Sequence, residues 1–391
     1  MIYGITGSFA SVFMLQKGYD NTHIGMTLAA ANLLAFLLQP LVADRMDRIG
    51  GTKIMDASAR MICMMMITAV GYFVFPGGSF MLAAIIVLFL ALHALLQPEL
   101  NSLAFRLSRR GINVNFGIGR AGGSLGFSAI LAVLGTLVEK KGVMVIPVCA
   151  EAACLLMILL LLITKTSFNK IKHMAQGNEG TENAGSDAED NERINLREFA
   201  RRNRHFFIMN LGIAGLFFSN AVLSNYMPQI AGNVGGTTEQ TGRILSLMAL
   251  LEIPTMVFFG KIRKHFSSRT LIKVASIGLT AKMAVCWLAG SVSVLYFAQF
   301  FQLVAFAMMM PGMVYFIDEI MSPGEAVKGQ ALFTMMIVLS TIAASFAGGW
   351  LIDAAGVGAM NLTATVVTAI GALIVILSVN KVEDHRQLPR E

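Results

Sequence analysis

Long apolar runs separated by short polar turns recur along the chain from Ile2 to Val379. A helix needs about 20 apolar residues to cross the roughly 30 Å hydrocarbon core of a bilayer. Windows of that length predict spans at 2–16, 23–43, 54–75, 80–107, 112–138, 143–163, 206–229, 241–262, 271–289, 292–317, 328–352 and 358–379. The first is short, because a helix of that length at 1.5 Å per residue covers only about 22 Å. The expected class is an all-α integral membrane fold: twelve transmembrane helices in two six-helix bundles, the first helix truncated. The first apolar stretch leads into further spans and not into a polar mature domain, so no cleavable leader is expected.

Composition agrees with the pattern. Hydrophobic residues make up 55% of the 391 positions and charged residues 14%, well under the roughly 25% charged usage of soluble domains. The net charge of +7 would suggest a nucleic-acid partner were it not for where the charges sit. With the amino terminus placed inside, the Lys and Arg residues of the loops fall on the inner side, apart from Lys17, Lys140, Lys141 and Arg243. That asymmetry is the positive-inside rule. It predicts a cell-membrane protein with both termini cytoplasmic, and it accounts for the basic excess without nucleic acid. Residues 164–204 form the one long polar stretch, with an acidic, Gly/Asn-rich run from Gln176 to Glu192. Such a segment buries too little surface to fold, so it is expected to be a cytoplasmic linker between a bundle at 1–163 and a bundle at 205–379. A short cytoplasmic tail, 380–391, follows.

The halves also read as a repeat. The basic turn after the second span, from Pro40 to Lys53, has a counterpart after the eighth, from Pro254 to Arg269. Two six-helix bundles around a midplane cavity is an alternating-access plan. Within the first turn, Ala43 to Lys53 resembles the Gly-x-x-x-Asp-Arg-x-Gly-x-x-Lys loop of the major facilitator superfamily. Asp47, Arg48, Gly50 and Lys53 match it, and Ala43 replaces the first glycine. Gln97-Pro-Glu-Leu-Asn-Ser-Leu-Ala-Phe, Gly119-Arg-Ala-Gly-Gly-Ser-Leu-Gly-Phe127 and Leu250-Leu-Glu-Ile-Pro254 resemble the branch holding lactose permease and the nucleoside–proton symporters. The resemblance implies a substrate-binding role for Arg120 and a proton-coupling role for Glu252, with Lys282 where that family carries an arginine. It also has departures: Asn101 stands where relatives have a glutamate, Phe127 where they have a tryptophan, and Val304 near a histidine position. These weaken the case for a galactoside and leave some polar organic solute as the expectation.

Ionisable groups inside spans cost about 2.5–3.5 kcal/mol each on insertion scales, so they persist where they face a cavity or a partner. Glu99 and Arg120 fall at one depth on neighbouring antiparallel spans. Arg120 offers five fixed donors, with Asn101 and Gln97 one turn apart on a shared face; the bland alternative is a charge pair that locks two helices. Glu252 and Lys282 lie mid-span in the eighth and ninth helices, and a moving ammonium beside a buried carboxylate would load and unload a proton. A static pair is the competing reading. Asp56 and Arg60 are four apart on the third span and, with Asp47 and Arg48, are candidates for an inner gate or a structural cluster. His93 reads as packed, and Glu151 has no obvious partner.

Other signals are excluded or demoted. Gly117-Ile-Gly119-Arg-Ala-Gly122, with Glu139 further on, fits G-x-G-x-x-G but opens an apolar span, without the strand and βαβ unit that motif requires. Gly119/Gly123 and Gly122/Gly126, like Ala344/Gly348 and Ser345/Gly349, read as small-residue stripes admitting a neighbouring backbone. The cysteines at 63, 149, 154 and 286 have neither C-x-x-C spacing nor a histidine beside them, so they are expected to be packed in the protein interior, with no metal and no cofactor. A nucleotide-driven pump would carry a phosphate loop. A channel would carry rings of like charge, and an enzyme a cluster of polar ligands. The expectation is a monomeric, proton-coupled symporter of a small polar organic solute. Its rival is a drug or metabolite efflux antiporter, which the 26 methionines favour and the absence of proline between Asn115 and Val138 disfavours.

Overall fold

The computed structural model describes residues 1–48, 53–108, 116–175, 199 and 201–382. Side chains of residues 47, 53, 101–108, 116–121, 167–175, 323 and 324 lie outside the description. Among the described residues there are helices and no strands. They are α1 (Ile2–Thr6), α2 (Ala10–Gln16), α3 (Asn21–Asp47), α4 (Lys53–Val74), α5 (Phe80–Ser108), α6 (Phe116–Lys141) and α7 (Val145–Ala175), followed by α8 (Arg204–Asn233), α9 (Thr238–Arg263), α10 (Ser268–Trp287), α11 (Val292–Gln299), α12 (Phe306–Ile320) and α13 (Pro323–Ser378).

Over the described residues each predicted span lies on a helix, residues 112–115 of the fifth lying outside the description, and the departures have local causes. The first span is broken between α1 and α2 at Gly7, where a Cβ would come within 2.5 Å of the Tyr3 ring. The tenth is interrupted by a 3₁₀ turn, Phe300–Leu303. The eleventh and twelfth run together as the 56 residues of α13, parted at Gly356 (φ 83°, ψ 170°), a conformation essentially reserved for glycine. A straight helix of that length would reach about 84 Å, so α13 is two spans. The linker expectation needs a correction as well: α7 continues to Ala175, and residues 176–198 lie outside the description.

Polar caps start the helices. Asp20 accepts from the His23 amide at the head of α3, Thr237 and Gln240 form a reciprocal box on α9, and Ser267 caps α10. Each satisfies an amide that would otherwise be orphaned. Pro40, Pro98, Pro228, Pro254 and Pro311 lie inside helices, which membrane spans tolerate when neighbours re-satisfy the freed backbone. The outer faces of the helices are hydrocarbon, with Leu37, Leu41, Ile67, Val74, Val257 and Leu373 all more than half exposed. Such a surface is stable against lipid and not against water. Cys63 also lies exposed, which corrects the expectation that all four cysteines are buried.

The buried packing is lopsided. Call the end of the molecule that carries Arg45, Arg48, Lys165, Arg263 and Lys264 the basic end. One buried cluster runs through α1–α7, reaching Met55 and Leu161 toward the basic end, and at the opposite end it takes in the far portions of α8, α9, α10, α11 and α13. At the basic end, a second cluster holds buried residues from 199 onward alone. A small third one holds Ala35, Ala91 and Leu95.

Candidate functional site

Span 10 is broken at its middle, and the break makes the site. The helix tightens to a 3₁₀ turn at Phe300–Leu303, and the Thr255 hydroxyl of α9 donates to the Leu303 carbonyl at 2.7 Å. Gly278 of α10 lets the turn approach: a Cβ there would meet the Val304 carbonyl oxygen at 3.0 Å. The turn delivers Gln302 into the space between α9 and α10. Lys282 Nζ donates to Gln302 Oε1 at 2.6 Å, and Gln302 Nε2 donates to Glu252 Oε1 at 2.8 Å. Lys282 and Gln302 are wholly buried. Glu252 is half-buried, on the face of α9 that also carries Met248, Ala249, Thr255 and Phe259.

The expected direct pair of Glu252 and Lys282 is thereby corrected. Charges of opposite sign do converge, but an amide stands between them and is hydrogen-bonded to both. Amides are neutral, so a reading that scans spans for charge passes over Gln302. The available signal was Gln299 and Gln302, two amides three apart in an otherwise apolar run. Lys282 is also walled off in this conformation, and Glu252 is the member of the chain that reaches accessible space.

In the other half, Glu99 is buried on α5 and is engaged in an interaction, while Gln97 on the same helix is exposed. Arg120 lies on α6 and Asn101 on α5, with both side chains outside the described residues. Near them, the Tyr3 ring stacks between His93, 5.7 Å away, and Phe127, 6.4 Å away, so His93 is packed as expected. Gly122 and Gly123 have nothing within 4 Å of a built Cβ. Among the described residues no backbone packs on that stripe of α6, contrary to the expectation of a close backbone neighbour, and Gly126 meets only the Met1 side chain. The second small-residue stripe is close-packed: Gly348 meets the Tyr226 ring and Gly349 the Asn21 carbonyl.

At the basic end, the expected i,i+4 pair of Asp56 and Arg60 does not form. Asp56 instead pairs with Lys165 of α7, and Arg60 is exposed. Arg48 pairs with Asp44 at 3.0 Å on its own helix. Asp47 ends α3, with its side chain outside the description. Glu319 accepts from Arg263 and from Ser268, each at 2.9 Å. Each of these bonds stays within one half of the chain.

The opposite end is crossed by bonds between the halves. Asp353 of α13 accepts from the backbone and side chains of Asn21 and Thr22 at 2.6–3.3 Å. Glu139 of α6 accepts from the amides of Thr238 and Glu239 at 2.9 and 3.3 Å. Ser128 and Ser246 hydroxyls meet at 2.7 Å, and Gln229 donates to Asn21 Oδ1 at 3.1 Å. Glycines admit this contact: a Cβ on Gly242 would lie 2.5 Å from the Leu131 carbonyl, and one on Gly349 would lie 2.0 Å from that of Asn21.

Among the described residues, ten long apolar helices, the last holding two spans, and the short Ile2–Gln16 segment define a multi-pass membrane protein with the twelve-span major facilitator transporter fold. The chain belongs to the MFS_1 like family, whose model matches residues 1–363. Its structure is similar to that of a point mutant of the nucleoside transporter NupG, with a TM-score of 0.74 at 13% identity over 97% of this chain and 96% of that one. It is also similar to a bacterial homolog of the human lysosomal transporter Spinster in an inward-facing, unoccupied conformation, with a TM-score of 0.71 at 14% identity over 97% and 94%. A point mutant of the peptide transporter POT gives 0.68 at 13% identity over 97% and 92%. In sequence the chain is 27% identical over 161 residues to the multidrug transporter protein MdtP of Bacillus subtilis (strain 168), which is 40% of this chain and 29% of that protein's length. Family and structural neighbours are transporters.

Proposed function

We propose that the chain is a secondary active transporter that moves a small polar organic solute together with a proton by alternating access. Residues 1–163 and 205–379 act as two halves that rock about a central passage. The observation that supports this reading is the lopsided packing: away from the basic end one cluster and several hydrogen bonds join the two halves, whereas toward the basic end the described residues of the second half pack in a cluster of their own. A static bundle gains from burying apolar surface along its whole length. A carrier closes one end at a time.

The basic end is cytoplasmic by the positive-inside rule, which makes the conformation inward-facing. Both termini then lie in the cytoplasm of a cell (plasma or inner) membrane protein. Arg120, Asn101, Glu99 and Gln97 bind substrate, and Glu252 carries the proton with Lys282 as its counter-charge through Gln302. A protonated Glu252 no longer balances the ammonium, so Lys282 and Gln302 re-pair, and that exchange couples charge to conformation. Asp47, Arg48, Asp56 and Arg60 form the inner gate when the basic ends close.

Purified protein in proteoliposomes tests this. Wild type should accumulate its solute under an imposed pH gradient and show counterflow. Glu252→Gln should lose gradient-driven accumulation by at least tenfold and keep exchange. Unchanged accumulation in that variant would refute the coupling role. The partial identity to a multidrug transporter supports a second reading, proton-driven efflux, which predicts accumulation when the gradient is reversed.

A further inference from the structure

We propose that Asp353 and Glu139 are gating residues of the transport cycle, two carboxylate latches that together hold the outer end closed; this rests on the alternating-access reading above. Both do the same thing in equivalent places. Asp353, at the far end of span 11, covers the N-terminus of α3, the second span, with four hydrogen bonds from Asn21 and Thr22. Glu139, at the far end of span 5, covers the N-terminus of α9, the eighth span, with two backbone amides. Spans 2 and 8 are six apart, as are 5 and 11, so exchanging the halves maps one latch onto the other. Each carboxylate answers the first-turn amides that a helix leaves unsatisfied and the positive end of its dipole.

Each latch crosses between halves, so neither persists when the outer ends part. Opening strips a carboxylate and a helix N-terminus of each other in the same movement. The glycine contacts alongside, Gly349 on Asn21 and Gly135 on Gly242, bring the backbones close enough for side chains as short as Asp and Glu to reach. By contrast, among the described residues the charge pairs Asp56 with Lys165 and Arg263 with Glu319 at the basic end lie within halves.

Hydrogen–deuterium exchange of the full chain in lipid nanodiscs tests the proposal. Asp353→Asn takes the charge from the acceptor of four hydrogen bonds and should raise exchange on the order of tenfold. The rise should be seen not at residues 21–28 alone but also at 131–138 and 238–246, around the other latch. Glu139→Gln should likewise raise exchange both at its own partner, 238–246, and at the other latch, 21–28, and the double variant should multiply the two effects. A merely local cap would speed exchange on its own helix end and nowhere else, and that result would overturn the proposal. Should Asp353→Asn fail to fold, Thr22→Val removes one donor and keeps the carboxylate. A several-fold rise at both latches then supports the proposal, and a rise confined to 21–28 overturns it. Counterflow by wild type separates the two levels: counterflow with no distant change sinks the latches alone, and no counterflow sinks the transport reading with them.

Discussion

Neutralising Glu252 and Lys282 separately and together is the sharpest probe of the buried chain of three. The charges stand two hydrogen bonds and one amide apart, roughly 7 Å from bond lengths of this kind. At an effective dielectric of about 20, unit charges at that separation attract by about 2 kcal/mol. Glu252 is only half-buried, so the deep-interior limit does not apply. Glu252→Gln leaves a wholly buried ammonium with no counter-charge, and Lys282→Met leaves the carboxylate facing an amide whose Oε1 has lost its donor. Each single variant should lower unfolding stability by about 2–3 kcal/mol. The double variant Glu252→Gln/Lys282→Met should recover about 2 kcal/mol of the summed loss, because no unbalanced charge remains. Denaturant or thermal unfolding in detergent measures all four forms, and proteoliposome uptake is followed in parallel. Stability should return in the double variant while proton-driven accumulation does not, which separates folding from coupling. Simply additive losses would show that Glu252 and Lys282 do not sense each other through Gln302, and the coupling mechanism would fall with that result.

Two further outcomes follow from the backbone. Gly356→Ala places a Cβ on a residue at φ 83°, ψ 170° and should cost about 1–3 kcal/mol, read as a lower melting temperature; an unchanged midpoint would mean the two spans of α13 can meet without that conformation. Thr255→Val preserves shape but leaves the Leu303 carbonyl without the hydroxyl that satisfies it, a loss of about 1–3 kcal/mol. Because that carbonyl anchors the turn presenting Gln302, proton-coupled uptake should weaken too, and full uptake with reduced stability would detach the turn from the mechanism.

Much of the molecule is legible in one dimension because the bilayer imposes a one-dimensional rule. Every backbone amide must be satisfied within its own helix or by a neighbour, so length and apolarity alone mark the spans from α3 to α10. The rule also explains the misreadings. A window of hydropathy is blind to a helix broken within a span, so the turn at Phe300–Leu303 escapes it, whereas the break at Gly356 falls between two predicted spans. A scan for charge finds Glu252 and Lys282 but not the neutral Gln302 that joins them. Spacing along one helix suggested Asp56 with Arg60, whereas Lys165, distant in sequence, takes the carboxylate. Glu139 drew notice in the sequence only as part of a false dinucleotide motif, and Asp353 drew none, since both sit at span ends where charge is ordinary.

The sequence by itself determined the solvent, the number of spans and the clustering of positive charge, because each depends on composition over a stretch and not on which stretches meet. Tertiary structure decided which end is fastened, which amide bridges the buried charges and which glycines touch. Those depend on packing between helices hundreds of residues apart, where a displacement of one ångström turns a hydrogen bond into an orphaned group.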